Sequence, residues 1–336
     1  MAEVFHARWS SLKTFRHCQM KYKYGWIENL QSRRPAPPLI RGSMIGECLD
    51  AISSKKSIKP ILAKFQEEYG KLFKAEQEEY GDIVGEVERI VTRYKKVYKN
   101  DGLTYLKGKD GFPYEILVET EFEIQGIKVH FTGHMDKMVK DKEGRVLVLD
   151  HKSHKVIPGV DARYNDLQLL TYIWLAPLAG LPKPVGVLWD YLRTKSPTVP
   201  EVLKNGSLTK RANLDSDYET YLQAIRDNNL DEADYQEVLD RFKAEGGNRY
   251  FERVIVPAPQ KAMIDNMVSD FKQTIVQIHD VTKSGGFTRN MSRDCNRCEF
   301  YNLCQAELRG LDSTFIRKQE FKERKDDRDS KGVANS

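Results

Sequence analysis

Three of the five cysteines of this chain fall within ten positions, in "DCNRCEFYNLC" (294–304), spaced Cys295-x2-Cys298-x5-Cys304. Thiolates at that spacing are ligands for a metal ion or a cluster, and a tetrahedral sulfur site needs a fourth. A second group is acidic. In "GHMDKMVKDKEGRVLVLDHK" Asp136 precedes a turn, and Asp150-x-Lys152 follows an apolar run. Strand geometry puts Asp150 and Lys152 on one face and His151 on the other. If the two segments pair as a hairpin, Asp136 approaches Asp150. Adjacent carboxylates repel unless a cation lies between them, and hard oxygen ligands with open positions suit Mg²⁺ or Mn²⁺. A lysine beside such a site can orient or deprotonate a water. This is the equipment for hydrolysing a phosphodiester. A solvated hairpin edge would carry the same letters. Against that, Asp150 ends "RVLVLD", which reads as a buried central strand, where a charge is costly without a function.

Helices and strands must position these groups. "SSLKTFRHCQMKYKYGWIE" reads as a helix capped at Ser10 or Ser11. "LIRGSMIGECLDAI" begins another, and residues 60–99 have the apolar spacing of one or two long amphipathic helices. The period then changes: residues 114–155 alternate and read as three or four strands of a meander, with turns at "QG" and "KEG". Residues 164–180 return to helix, with Gln168 and Tyr172 on one face. "PVGVLWDYLRT" and "YFERVIVP" are further strands, separated by a polar, partly helical insertion at about 196–248. A long helix ends at Gly285-Gly286 before the cysteines. From Arg317 onward the chain is charged and apolar-poor, which predicts a disordered tail or a frayed helix over 317–336.

Composition sets the class. A 336-residue chain with 40% hydrophobic and 31% charged residues is globular. It has no apolar run long enough to span a bilayer, and its first residues lack a signal-peptide core, so the cytoplasm is the expected compartment, with no membrane partner. Cysteines there are metal ligands or buried thiols. The net charge of +5 permits a nucleic-acid partner. Arg16, Lys21, Lys23, Arg33, Arg34 and Arg41 lie among Phe15, Tyr22, Tyr24 and Trp26. They read either as phosphate and base contacts or as a solvated helix face over core rings.

In order along the chain, Cys18 in "LKTFRHCQMKYKY", Asp136 in "GHMD", Asp150 and Lys152 in "VLDHK", Gln168 and Tyr172 in "QLLTY", and Cys295, Cys298 and Cys304 form a pattern. It resembles the RecB-type nucleases of the PD-(D/E)XK superfamily, and more narrowly the iron–sulfur branch that includes AddB and the CRISPR-associated exonucleases. The resemblance covers roughly residues 8–305. It implies an α/β, restriction-endonuclease-like core with a mixed sheet of four to five strands flanked by helices, a helical segment at 42–100, and a cluster-binding element. It implies a single nuclease domain over 1–316, with its catalytic core at about 114–195 and 249–256. Cys18 is then the fourth thiolate, with 276 residues between it and Cys295, and joins the 285–310 segment around a [4Fe–4S] cluster. Four thiolates also suit zinc. Cys48 reads as a small buried residue.

The activity implied is a metal-dependent DNA exonuclease of recombination, repair or phage DNA processing, acting on single strands or ends. Asp136 and Asp150 bind Mg²⁺ or Mn²⁺, the His151 carbonyl assists, Lys152 handles the water, and Gln168 and Tyr172 position DNA and site. One departure stands out. The family has a metal-binding histidine four residues after a glycine, whereas here Gly42 is followed at that offset by Gly46. Asp50, a turn further on, is the expected substitute, with Glu47 beside it. His134 reads as a substrate contact or an exposed residue, and Glu119 and Glu121 as solvated or as second-metal groups. A second reading is a catalytically decayed DNA-end-binding or scaffold subunit. A third is a subunit of a larger assembly whose helicase motor comes from a partner, since the sequence has no GxxxxGK[ST] loop.

Overall fold

The structure is a computed structural model and describes residues 4–159, 163, 166–244 and 250–324. Strand β1 (Val4–Ala7) leads into helix α1 (Trp9–His17) and helix α2 (Gln19–Tyr22), which runs on as a π-helical turn, Lys23–Ile27. The cap of α1 is Arg8, ahead of the expected Ser10 or Ser11. Its N–H donates to Ser11 Oγ, and that hydroxyl donates back to the Arg8 carbonyl. Cys18 is the extended residue between the two helices (φ −161°, ψ 120°).

Strand β2 (Leu30–Ser32) precedes helices α3 (Pro37–Ser53), α4 (Lys59–Gly70), α5 (Lys74–Tyr80) and α6 (Ile83–Val97). The expected one or two long helices over 60–99 are therefore three. Gly81, at φ 60°, separates the last two, and Asp82 caps α6 by accepting from Gly85 N–H.

Strands β3 (Thr104–Tyr105), β4 (Ile116–Ile124), β5 (Ile127–Met135), β6 (Lys137–Lys140) and β7 (Val146–His154) follow. Helix α7 (Leu167–Leu178) leads to strand β8 (Gly186–Arg193). Helices α8 (Tyr218–Asp227) and α9 (Gln236–Ala244) fill the insertion before strand β9 (Phe251–Pro257). Helix α10 (Lys261–Ser284), helix α11 (Tyr301–Leu308), helix α12 (Thr314–Glu320) and strand β10 (Phe321–Glu323) complete the order.

Four strands form over 114–155, where three or four were expected, but they serve two sheets. The β4–β5 hairpin turns at Gln125-Gly126, both at positive φ, as the two-residue turn requires. With β1 it makes a three-stranded sheet, β1-β5-β4. The chain bends at Asp136, and β6 and β7 enter a five-stranded sheet, β3-β6-β7-β8-β9. That sheet is mixed, as expected: β7 and β8 are parallel and joined through α7, while the other pairs are antiparallel.

Each face of the larger sheet is covered. Met44, Leu49, Val87, Val91 and Tyr94 of α3 and α6 pack with Leu192 and Phe251. Val148, Val187, Trp189 and Tyr191 share a core with α7, α10 and the three-stranded sheet. The insertion has a small core of its own, Leu208, Tyr221, Ile225, Tyr235 and Phe242, concealed in the sequence by its polar composition. Bidentate Arg193–Asp215 bonds of 2.6 and 2.7 Å fasten it to β8.

The first part of the expected tail is ordered. Residues 317–324 are built into the fold: β10 pairs antiparallel with β2, Phe321 is 2% exposed and stacks on Phe300 at 5.2 Å, and Arg317 bridges Glu28 and Glu307. One buried ring and a set of ion pairs order a segment whose average composition is that of a tail. Residues 325–336 lie outside the described residues.

Candidate active site and cysteine cavity

Lys137 of β6 lies opposite Leu149 of β7. One step further along that ladder, Asp136 faces Asp150 across the strands. Asp136 is fixed there because its Oδ2 accepts the His151 backbone N–H at 2.8 Å. Asp150 is 3% exposed. Burial, and then the neighbouring Asp136, push its carboxyl up to about 7, with Lys152 pulling the other way. Lys152 Nζ lies 2.6 Å from Asp150 Oδ2, so the buried carboxylate is ion-paired with the ammonium. Burial works against the Lys152 ammonium, but Asp150, Asp136 and Asp166 raise its pKa overall. Lys152 is therefore held charged. That suits it to orienting a water or a phosphate and opposes its taking a proton.

Two carboxylates against one ammonium leave a net negative charge in a buried place. A buried carboxylate pair whose charge one ammonium only partly offsets is where a hard cation fits, so Asp136 and Asp150 suit Mg²⁺ or Mn²⁺. His151 points its ring to the other side of the sheet, as alternation requires, with Nδ1 3.0 Å from Asp190 Oδ2. Its backbone, not its ring, borders the carboxylates.

Tyr172 is buried, and its hydroxyl donates to the His134 carbonyl at 2.6 Å, two residues before Asp136. Gln168 is its hydrogen-bonding neighbour on α7. The glycine of "GHMD" makes room for this docking: a Cβ on Gly133 would meet the Tyr172 ring at 3.2 Å and Phe131 at 3.1 Å. Gln168 and Tyr172 thus brace the strand that carries Asp136.

Asp50 is turned to a different partner. Its carboxylate takes Lys137 Nζ at 2.9 Å, and Lys137 is 1% exposed. Glu115 and His151 are the other charged or titratable groups acting on Asp50. Glu47 contacts Lys64 instead. Gly46 faces open space, with nothing within 4 Å of where its Cβ would lie. Glu119 is bonded to His130, which also contacts His6, on the three-stranded sheet. Cys48 is fully buried, and burial raises its thiol to about 12, which makes it inert.

Each of the six basic residues near the N-terminus has a partner within the chain. Arg16 donates to Thr274 and Arg33 to the Phe321 carbonyl, while Lys21, Lys23, Arg34 and Arg41 pair with Glu299, Glu28, Glu76 and Glu86. Phe15, Tyr22 and Tyr24 are buried. Of the two readings of this segment, the structure gives paired cations over core rings.

Three features were missed by the sequence reading. Asp166 caps α7 and acts electrostatically on Asp150 and Lys152; its signal was an Asp directly before a helical run. Lys137 and Asp190 are fully buried charges on strands buried along nearly their whole length.

Far from the carboxylates, Cys18, Cys295, Cys298 and Cys304 line one cavity with Met20, Tyr24 and Phe300. The chain ends are stitched together around it. Met20 N–H donates to the Thr288 carbonyl, Thr288 to Gln19 Oε1, and Asn290 to the His17 carbonyl. Ser292 N–H points at Cys295 Sγ at 3.4 Å, and Phe300 N–H bonds to Cys298. Soft donors around one cavity, with amides directed at sulfur, fit a thiolate-bound centre. Among the described residues no group of three or more His, Cys, Asp or Glu side chains is gathered tightly enough to hold a single metal ion. No helix among them is long and apolar enough to cross a membrane.

No curated protein matches the chain. The solved structure described as "Crystal structure of SSO0001" aligns over 91% of this chain and 88% of its own, at 12% identity and a TM-score of 0.36, too low to support any argument. A family model described as the PD-(D/E)XK nuclease superfamily matches residues 9–305. That match runs from α1 through α11, well over half of the sequence, and the chain belongs to the PD-(D/E)XK nuclease superfamily.

Proposed function

We propose that this chain is a metal-dependent DNA nuclease, acting as an exonuclease in recombination, repair or phage DNA processing, with a helicase or recombination protein as its partner. The observation that carries the reading is the buried Asp150, set across the strands from Asp136 with Lys152 at 2.6 Å. Asp136 and Asp150 would hold Mg²⁺ or Mn²⁺, assisted by the His151 carbonyl, with Asp50 the remaining candidate ligand. A bound ion would polarise a phosphoryl oxygen and acidify a water. Lys152 orients the attacking water and balances charge on the phosphate. Tyr172 and Gln168 hold the Asp136 strand against α7.

The same reading assigns the four cysteines a [4Fe–4S] cluster that ties the chain ends together. The shared cavity supports it, and zinc is the competing occupant.

A decayed DNA-end-binding or scaffold subunit is the second reading, favoured by the open space at Gly46. One assay separates the two: end-labelled single- and double-stranded DNA with Mg²⁺ or Mn²⁺, comparing wild type with Asp150→Ala. Cutting by the wild type alone supports the nuclease. End binding by both proteins, with neither strand cut, supports the scaffold.

A further inference from the structure

Behind the carboxylates, on the other face of β7, lies a buried polar network that phosphodiester chemistry does not touch. Asp190 of β8 is 0% exposed. Its Oδ2 accepts from the Tyr94 hydroxyl of α6, in a short bond, and from Arg253 of β9 at 3.3 Å, and it lies 3.0 Å from His151 Nδ1. Arg253 also donates to Tyr94 Oη at 2.7 Å and to Asp101 at 2.8 Å, and it lies over the Tyr98 ring at 3.7 Å. Tyr105 closes the network on Asp101 at 3.0 Å.

The network reaches the His151 ring through Asp190, and the Tyr94 ring stands edge-on to it at 6.2 Å. His151 is also the residue whose backbone N–H holds Asp136, and it lies between Asp150 and Lys152. Contact between the ring and Asp190 on one face restrains the peptide on the other. We infer that Asp190 is a positioning residue for the site: by fixing the His151 ring it sets the peptide that aligns Asp136 with Asp150. Tyr94 and Arg253 hold Asp190 in turn. The inference rests on the proposed reading of Asp136 and Asp150 as the ligands of a divalent ion.

The test is Mn²⁺ binding, followed by the EPR signal of the free ion, in wild type, Asp150→Ala, Asp190→Asn and Tyr94→Phe. Thermal melts of each variant run alongside. Groups that orient metal ligands typically contribute about 10- to 100-fold in affinity. Asp190→Asn keeps the shape of the side chain and should weaken Mn²⁺ binding at least about tenfold, while its affinity for a DNA end stays within about twofold. Tyr94→Phe removes one bond to Asp190 and should weaken binding by less, in the same direction; it carries the test if Asp190→Asn does not fold. Mn²⁺ affinity unchanged in a folded Asp190→Asn, or in Tyr94→Phe when that variant alone folds, overturns the positioning role while leaving the site intact. Mn²⁺ binding that survives Asp150→Ala undiminished overturns the metal-site reading itself, and the inference with it.

Discussion

The backbone amide of His151 donates to the Oδ2 of Asp136 at 2.8 Å, so the residue between Asp150 and Lys152 holds the carboxylate of the neighbouring strand in place. Asp136 and Asp150 are therefore kept side by side by the backbone itself, and their mutual repulsion has to be relieved by proton, lysine or metal.

That repulsion has a pH signature. Asp150 is near 7 in the fold, raised chiefly by burial and then by Asp136, against about 4 in an unfolded chain. Between those values the folded protein holds a proton that the unfolded one has lost. Stability from this group is full below about pH 4 and falls as pH rises to about 7. In a chelating buffer Tm should decline across that window, and Asp150→Asn should flatten the decline and melt higher at pH 8. A bound divalent ion favours the ionised form, so the Tm gain from Mg²⁺ should grow with pH. An equally steep decline in Asp150→Asn would assign the slope to other groups.

Asp50 and Lys137 predict a stability effect where the sequence suggested a metal effect. Lys137 is 1% exposed and bonded to Asp50. Asp50→Ala leaves a buried ammonium unpaired, which costs about 3–5 kcal/mol. Replacing both, with Asp50→Ala and Lys137→Met, should recover most of it. Urea unfolding of the two variants measures this. A loss below about 1 kcal/mol in Asp50→Ala would show that the pair does not hold α3 to β6.

The carboxylate pair was legible because its signal is local. A D-x-K at the end of an apolar run has its facing fixed by strand alternation, and the hairpin length places Asp136 opposite. The core strands and the long C-terminal helix were legible for the same reason. What stayed hidden depends on long-range pairing. Nothing near Asp190 in "VLWDYL" announces that Tyr94, Arg253 and His151 will meet it. The pairing of Asp50 with Lys137 was hidden because the two are 87 residues apart in sequence. The split of four strands between two sheets turns on a bend at one residue, Asp136. Composition misled at residues 317–324, where the Phe321 ring and the Arg317 ion pairs decide the outcome. Cys18 as the partner of the C-terminal cysteines came from family resemblance, and no spacing rule links positions so far apart.

The C-terminal segment gives a direct comparison. A chain ended after Arg324 keeps β10 and serves as the reference. Ending it after Ile316 removes β10 and the Phe321 ring that stacks on Phe300, at a cost of about 3–5 kcal/mol. Phe321→Ala alone should give most of that loss. Similar melting of the two truncations would mean that β10 contributes little to the fold.

Lys152 separates chemistry from binding. Its ammonium is held charged beside Asp150, so Lys152→Ala should lower the rate constant for cleavage about 10²–10³-fold, the usual scale for one lost electrostatic contact in the transition state. DNA-end affinity and Mn²⁺ binding should stay close to wild type. Lys152→Arg keeps the charge but is bulkier and differently hydrated, and should remain at least tenfold slow. Single-turnover cleavage of end-labelled DNA measures both, and equal rates in wild type and Lys152→Ala would remove Lys152 from the reaction.

The cysteine cavity makes the last prediction. If the four thiolates hold one [4Fe–4S] cluster, anaerobically purified protein should be brown and contain about four irons per chain. Cys18 lines the same cavity as Cys295, Cys298 and Cys304 although it belongs to the opposite end of the chain. A centre bound by all four closes a loop of nearly the whole sequence, which constrains the unfolded chain as well as the folded one. Cys18→Ala should therefore lose iron, colour and solubility as completely as Cys298→Ala does, whereas Cys48→Ala, at the inert buried thiol, should keep its iron. Colourless protein with one tightly held zinc would keep the four-thiolate site and overturn the cluster. A Cys18→Ala protein with full iron content would take Cys18 out of the ligand set.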